Sequence, residues 1–267
     1  MSVLHHLSVG DEGAPYTAFV LHGILGSARN WRAFARRFAT EVPSWRFLLV
    51  DLRNHGESPP QDPPHVLSTC AQDLVELADH LGVYPDAVVG HSFGGKVALA
   101  YAGLRPPGLS TAWVLDAQPG PVGELAPDNE VRRVFEVLAT LPGPFSSRAE
   151  AGAAVRDAGL APAIVAWMTT NLRRDGDVYR WRFDLDGARS MIRDYLDADL
   201  WPVVDAEAAE VHLVRAMRSD RWSDNTLAAL DQRVAARRLV VHPLDSGHWV
   251  HVDDPEGLMR ILATTFV

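Results

Sequence analysis

The chain has 267 residues, of which 47% are hydrophobic and 22% charged, with a formal net charge of −9. That length holds one large α/β domain or a core with a modest insertion, and an acidic balance without any long Lys/Arg run argues against nucleic acid or an anionic membrane surface as partner. No apolar run approaches the roughly 20 residues that span a bilayer, Met1-Ser2-Val3-Leu4-His5-His6 lacks the features of a signal peptide, and the lone Cys70 forms no intrachain disulfide, so a cytoplasmic location is expected.

Residues 3–9 and 17–21 read as strands joined through the turn-rich Gly10-Asp11-Glu12-Gly13-Ala14-Pro15. The second runs into Leu21-His22-Gly23-Ile24-Leu25-Gly26-Ser27, a strand end followed by glycines. Trp31, Phe34, Ala35 and Phe38 then recur at helical spacing. Residues 45–50 form a near-continuous apolar run, as a parallel strand covered on both faces requires. They empty into the polar loop Asp51-Leu52-Arg53-Asn54-His55-Gly56-Glu57-Ser58. The next helix places Ala71, Leu74, Val75, Ala78 and Leu81 on one side, has Cys70 as a packing residue, and opens with Thr69-x-x-Gln72 as a capping box.

Val88-Val89-Gly90-His91-Ser92-Phe93-Gly94-Gly95 follows, an apolar run ending in Gly-x-Ser-x-Gly with a helical stretch directly behind. That is the pattern of a nucleophile elbow, a sharp strand-to-helix turn with serine at the bend. Residues 111–115 make another apolar strand, ending at Asp116. The alternation so far predicts an α/β fold with a mostly parallel sheet and helices on both faces. After Gln118-Pro119-Gly120-Pro121-Val122-Gly123 the rhythm breaks, and helical stripes such as Val131, Val134, Phe135 and Leu138 run on for about ninety residues. Residues 119–201 therefore read as a helical cap inserted between core segments 1–118 and 202–267. Trp167, Trp181 and Trp201 are expected to fill its core rather than line a pocket. A strand at 211–214, a helix at 224–236, a strand at 238–242 and a helix at 254–266 close the chain, with Asp245-Ser246-Gly247-His248-Trp249 between the last two.

Serine is a poor nucleophile at neutral pH and needs a base, itself oriented by an acid. In an open parallel sheet the loops at the strands' carboxyl ends converge on one edge, where Ser92 and His248 both fall. Among eleven histidines, His22 and His91 read as braces of glycine turns, His55 lies in a polar loop, and His5, His6, His65 and His80 read as surface. His251, three residues after His248, has the spacing of a metal pair, but no further Cys/His cluster completes a site, so no metal is expected. Asp116 and Asp220 both fit the chain order Ser, Asp, His, and position alone leaves the acid open between them. Asp51, Asp73, Asp186 and Asp245 read as loop, cap or surface charges. Two backbone donors are needed for a tetrahedral oxyanion; Phe93 and Ile24 are the candidates.

Taken together, the segments at 21–27, 51–58, 90–96 and 246–249 resemble the α/β-hydrolase superfamily, and cover the chain nearly end to end. The Asp-Leu-Arg-Asn-His-Gly-x-Ser form, with Lys96 after the paired glycines, is similar to the small YbfF-like esterase/thioesterase branch. The resemblance implies cofactor-free hydrolysis of a small-molecule ester or thioester. It also implies an acid at the end of the strand after the elbow helix, where Val114-Leu115-Asp116-Ala117-Gln118-Pro119 fits the branch and favours Asp116 over Asp220. One departure stands out: Arg215-Ala216-Met217-Arg218-Ser219-Asp220 replaces a glycine-rich loop. The same fold hosts C–C hydrolases, lyases, haloperoxidase-like proteins, acyltransferases and non-catalytic receptors, so fold alone does not fix the reaction. Dehalogenases and epoxide hydrolases need a carboxylate where Ser92 stands.

Overall fold

Alternation within the apolar runs sorts their side chains onto two faces of one sheet. In the computed structural model, Phe19, Leu21, Leu48, Val50 and Val88 join one core, and Ala18, Val20, Phe47, Leu49 and Val89 join another. The structure describes residues 3–126 and 129–267; Met1 and Ser2 of the N-terminal reading, and Pro127 and Asp128 of the 119–201 block, lie outside the described residues.

In chain order the elements are β1 (His6–Val9), β2 (Tyr16–Leu21), a 3-10 turn (Ala28–Trp31), α1 (Arg32–Glu41), β3 (Trp45–Val50), α2 (Leu67–Leu81), β4 (Ala87–His91), α3 (Phe93–Gly103) and β5 (Thr111–Leu115). Next come α4 (Glu130–Thr140), α5 (Arg148–Asp157), α6 (Pro162–Thr170), β6 (Leu172–Asp175), β7 (Val178–Trp181), α7 (Leu185–Asp197) and α8 (Trp201–Asp205). The chain ends with β8 (Glu210–Ala216), α9 (Asp224–Ala235), β9 (Val240–Leu244), α10 (Val250–Asp253) and α11 (Pro255–Leu262).

Seven strands form one sheet in the order β1-β3-β2-β4-β5-β8-β9, parallel throughout except for β1, which runs antiparallel to β3. Helices α2 and α3 cover one face, and α1 and α11 the other. The chain first adds β3 on one side of β2, then crosses to add β4 on the other. Between β2 and β4 the connections therefore leave in opposite directions and open a crevice at the strands' carboxyl ends. Register aligns those ends: Leu21 pairs with Gly90, His91 with Leu115, Leu115 with Val214, and Val214 with His242. The loops after β2, β4, β5, β8 and β9 are thus brought to one edge.

Between β5 and β8, helices α4 to α7 and the antiparallel hairpin β6–β7 stand apart from the main sheet. Tyr179 and Trp181 lie in β7, the second strand of that hairpin. Helix α7 packs on α2 and α3, and its Asp194 accepts the Leu67 N–H at 2.7 Å. Lys96, fully buried in α3, donates to the carbonyls of Gly120 at 2.7 Å, Tyr195 at 2.7 Å and Ala198 at 2.9 Å. One ammonium group thereby ties both ends of the intervening segment to the elbow helix, and its burial lowers its pKa to about 8.

Some boundaries move. Helix α2 starts at Leu67, so Thr69 is its third residue rather than its cap, and the hydroxyl accepts the Val66 N–H at 3.2 Å. The final strand shifts toward Leu244 because it pairs with β8 from His212 onward. Cys70 is fully buried among the apolar residues of α2, as its helical position suggests.

The elbow is the tightest point. A Cβ on Gly94 would lie 2.6 Å from the His22 carbonyl oxygen and 2.8 Å from that of Leu21, and one on Gly90 would overlap the Gly94 carbonyl. Gly82, by contrast, caps α2 at φ 62° with nothing within 4 Å of an added Cβ. Gly90→Ala should therefore lower the unfolding free energy by about 3 kcal/mol or more, and Gly82→Ala by only about 1 kcal/mol, the cost of the left-handed backbone. Urea denaturation of both variants would check this; equal losses would contradict the packing described.

Candidate active site

Ser92 sits at the bend between β4 and α3 with φ 53° and ψ −117°, a conformation most non-glycine residues avoid. It is held there from both sides. Its N–H donates to the Leu115 carbonyl at 2.9 Å, and its own carbonyl accepts the Gly95 N–H at 2.9 Å. Only 9% of the residue is exposed.

Asp116, at the end of β5, is fully buried and also has positive φ, 47°. Its N–H donates to the Val214 carbonyl at 2.8 Å. One carboxylate oxygen, Oδ1, accepts the Ala216 N–H at 3.1 Å and the Trp222 indole N–H at 2.8 Å. The other, Oδ2, lies 2.8 Å from His248 Nδ1. A carboxylate only accepts, so His248 carries its proton on Nδ1 and keeps Nε2 as a lone-pair acceptor. Burial pushes the Asp116 carboxyl up, but the hydrogen bond and charge of His248 and the Trp222 donor outweigh it and leave the pKa below the usual carboxylate value. For His248, burial and then the nearby Arg221 charge lower the pKa, against the opposing pull of Asp116. The ring is therefore neutral at pH 7, the state a base requires. Asp220 is exposed, and among the described residues it makes no hydrogen bond to His248.

The loop after β2 is braced by imidazoles. His22 donates from Nδ1 to the Gly23 carbonyl at 2.8 Å and accepts the Leu52 N–H on Nε2 at 3.0 Å. His55 donates to the Arg53 carbonyl at 2.8 Å and accepts the Leu25 N–H at 3.0 Å. Leu25 is thus occupied, while the Ile24 N–H has no hydrogen bond among the described residues. Phe93 opens α3, so its N–H is one of the donors that no earlier turn can accept. His91 donates from Nε2 to the His248 carbonyl at 2.8 Å and so pins the loop that carries His248.

Ser92 and His248 line one narrow cavity, walled by Val131 and Val134 of α4, Ile164 and Trp167 of α6, and Trp249. Trp167 meets Trp249 edge-to-face at 4.9 Å and lines the cavity, contrary to its reading as core. Trp181 keeps that reading, packed against Phe145 and Phe183. Trp201 lies outside the cavity, under the Arg233 guanidinium. His251 stacks on Trp31 at 4.2 Å.

Several site residues escape a reading by pattern. His55 looks like a loop histidine yet is 1% exposed; its only signal is the neighbouring Gly56, whose added Cβ would strike Asp51. Asp51 braces the same loop by accepting the Ala28 N–H at 2.7 Å and the Glu57 N–H at 3.0 Å. Asp73 is no surface charge but a buried partner of Arg53, at 2.6 and 2.7 Å. His5 pairs with Asp51 at 2.7 Å rather than lying free on the surface. Trp222 has no sequence signal at all.

Burial lowers the pKa of His55 to about 3 and of His251 to about 4, and holds His91 well below its usual value. Each binds a proton more readily unfolded than folded. Their stabilising contribution is complete above the unfolded pKa near 6.5 and is lost as pH falls through the folded values. Unfolding at pH 5 should therefore take up about two protons or more, and stability should fall steadily from pH 6.5 to 4. Urea titrations across that range would test the slope; a flat profile would contradict neutral buried imidazoles.

With this geometry in place, the comparisons with known proteins are specific. The model of the alpha/beta hydrolase family matches residues 18–261. The chain is 28% identical over 262 residues to sn-1-specific diacylglycerol lipase ABHD11 of Mus musculus, covering 96% of this chain and 82% of that protein. It is 27% identical over 248 residues to esterase YbfF of Escherichia coli, covering 91% and 90%. The solved structure of a marine microorganism esterase shares the fold, with a TM-score of 0.83 at 23% identity over 100% of each chain. A single family model thus accounts for all but the two ends of the sequence, and the chain belongs to the alpha/beta hydrolase family.

Proposed function

We propose that the chain is a serine hydrolase cleaving carboxylic esters, and thioesters by the same chemistry, through an acyl-enzyme. The observation that carries this reading is the His248–Asp116 hydrogen bond of 2.8 Å on the cavity that also holds the strained Ser92. Both relatives above bear the name of a lipase or an esterase, which agrees with it.

Ser92 Oγ attacks the acyl carbon while His248 Nε2 takes its proton. Asp116 fixes the tautomer that leaves Nε2 free, and its charge offsets the imidazolium as it forms. The N–H groups of Ile24 and Phe93 receive the developing oxyanion. Collapse of the tetrahedral species expels the alcohol or thiol, which takes the proton back from His248. Water then enters, His248 takes its proton as the oxygen adds to the acyl carbon, and collapse of this second tetrahedral species releases the carboxylic acid while His248 returns the proton to Ser92 Oγ. We take residues 119–201 as the cap: α4 and α6 close the cavity over Ser92 with apolar side chains, which suits an acyl chain. The substrate is a small molecule, met without metal or cofactor in any of these steps.

Ser92→Ala and His248→Ala should each reduce kcat on a p-nitrophenyl ester by a factor on the order of 10⁶, with folding intact. Asp116→Asn should cost about 10⁴, whereas Asp220→Asn should retain most activity. Circular dichroism would confirm folding in each variant. Near-wild-type turnover in Asp116→Asn, with a collapse in Asp220→Asn, would show that the acid is the other aspartate.

A further inference from the structure

The loop after β8 brings a cation to the site. Arg221 lines the cavity of Ser92 and His248. It also lines a second cavity that shares Ser92, Ile24 and Val131 with the first. The two spaces meet at Ser92. The first is walled by Trp167 and Trp249, whereas the second mixes Gln118, Asn129 and Ser223 with Val122, Leu125, Ile192 and Leu196.

Arg221 is anchored but unpartnered. Its loop is pinned by the Met217 N–H on the Leu244 carbonyl at 2.9 Å, the Arg218 N–H on the Ser246 carbonyl at 3.0 Å, and the Trp222 indole on Asp116 at 2.8 Å. Arg218 finds a carboxylate, Asp245, at 3.3 Å. Arg221 has no ion pair or hydrogen bond among the described residues, and its Nε is sealed from solvent with no acceptor. This happens in a chain with 34 acidic and 25 basic residues, where a partner would be easy to supply. Leaving a buried donor without an acceptor is costly. The placement also opposes catalysis on its own, because the guanidinium disfavours the imidazolium that His248 must become. A bound anion paired with the guanidinium from the cavity side would neutralise the charge beside His248.

We propose that Arg221 is a specificity-determining residue that selects esters bearing an anionic oxyacid, carboxylate or phosphate, on the portion lying in the second cavity. This rests on the ester-hydrolase reading above. The planar guanidinium suits bidentate pairing with such a group. Glu124 and Asp220 also line the second cavity, and Glu130 the first, so attraction comes from contact with Arg221 rather than from a diffuse positive field. The charged and titratable groups facing His248 are Asp116, Asp220, Arg221, His91 and His251.

The test uses the full chain and matched substrate pairs. One pair compares p-nitrophenyl butyrate with the mono-p-nitrophenyl ester of glutaric acid, placing a carboxylate on the acyl side. The other compares phenyl acetate with 4-acetoxyphenyl phosphate, placing a phosphate on the leaving alcohol. In at least one pair, Arg221→Gln should lower the anionic-to-neutral ratio of kcat/KM by about tenfold or more, mainly through KM. Arg221→Lys should restore part of it, and Arg218→Gln should leave the ratio as in the wild type. The acid limb of the pH profile on the neutral ester should also move upward in Arg221→Gln, because the imidazolium is no longer opposed. An unchanged ratio in both pairs, with neutral esters still turned over, would overturn the role of Arg221 and leave the hydrolase reading standing. Failure of the folded wild-type chain to turn over any of the four esters would overturn both.

Discussion

The site depends on one contact between backbones. Helix α3 begins so close to the end of β2 that Gly94 lies against the carbonyls of Leu21 and His22, where no side chain fits. That approach forces the chain through a bend at Ser92, and the bend holds the serine at positive φ. The strain is local, while the support is spread over the sheet: β4 is flanked on both sides by parallel strands, and its end is locked through the Ser92 N–H on Leu115. Conformations of this kind persist where the surroundings over-determine them. The same contact brings the loop after β2 beside the start of α3, so two N–H donors from different elements can serve one oxygen atom.

Polar groups in the interior do the rest of the positioning. His22, His55 and His91 each satisfy a backbone group in a loop that has no regular pairing of its own. A neutral imidazole suits this work because it offers one donor and one acceptor on a rigid ring. Lys96 has a different task, since an ammonium has only donors and meets three carbonyls from the two ends of the intervening segment. Its charge is poorly solvated there, which is why burial shifts it downward. The helices over Ser92 are thus fastened to the very helix that presents the serine. A shift of that segment would be felt at the elbow.

The fold is legible in the sequence because its central strands are buried on both faces and so must be apolar at successive positions, as 45–50 and 111–115 are. The elbow is legible because sterics leave glycine little substitute at Gly90 and Gly94. Ser92, Asp116 and His248 fall at strand ends that register brings to one edge, although chain order alone admits Asp220 as readily as Asp116. Both aspartates follow strands, and their difference in burial and in hydrogen bonding to His248 exists only in the folded chain. Roles carried by a single contact leave no pattern: the Trp222 donor, the Arg53–Asp73 pair and the Leu25–His55 bond join residues far apart or irregular in spacing. Trp167 defeats a reading by pattern for a related reason. An aromatic on a helix looks the same whether its face meets a core or a cavity.

The central claim is that Ser92 forms a covalent acyl intermediate in this site, and it can be weighed directly. Wild-type protein would be mixed with an excess of an activated ester, quenched in acid within milliseconds and read by intact-protein mass spectrometry, followed by peptide mapping. The account requires one acyl group per chain, appearing before steady-state turnover and mapping to Ser92. Turnover with no adduct under conditions where product release shows a burst, or an acyl group mapped to another residue, would contradict it.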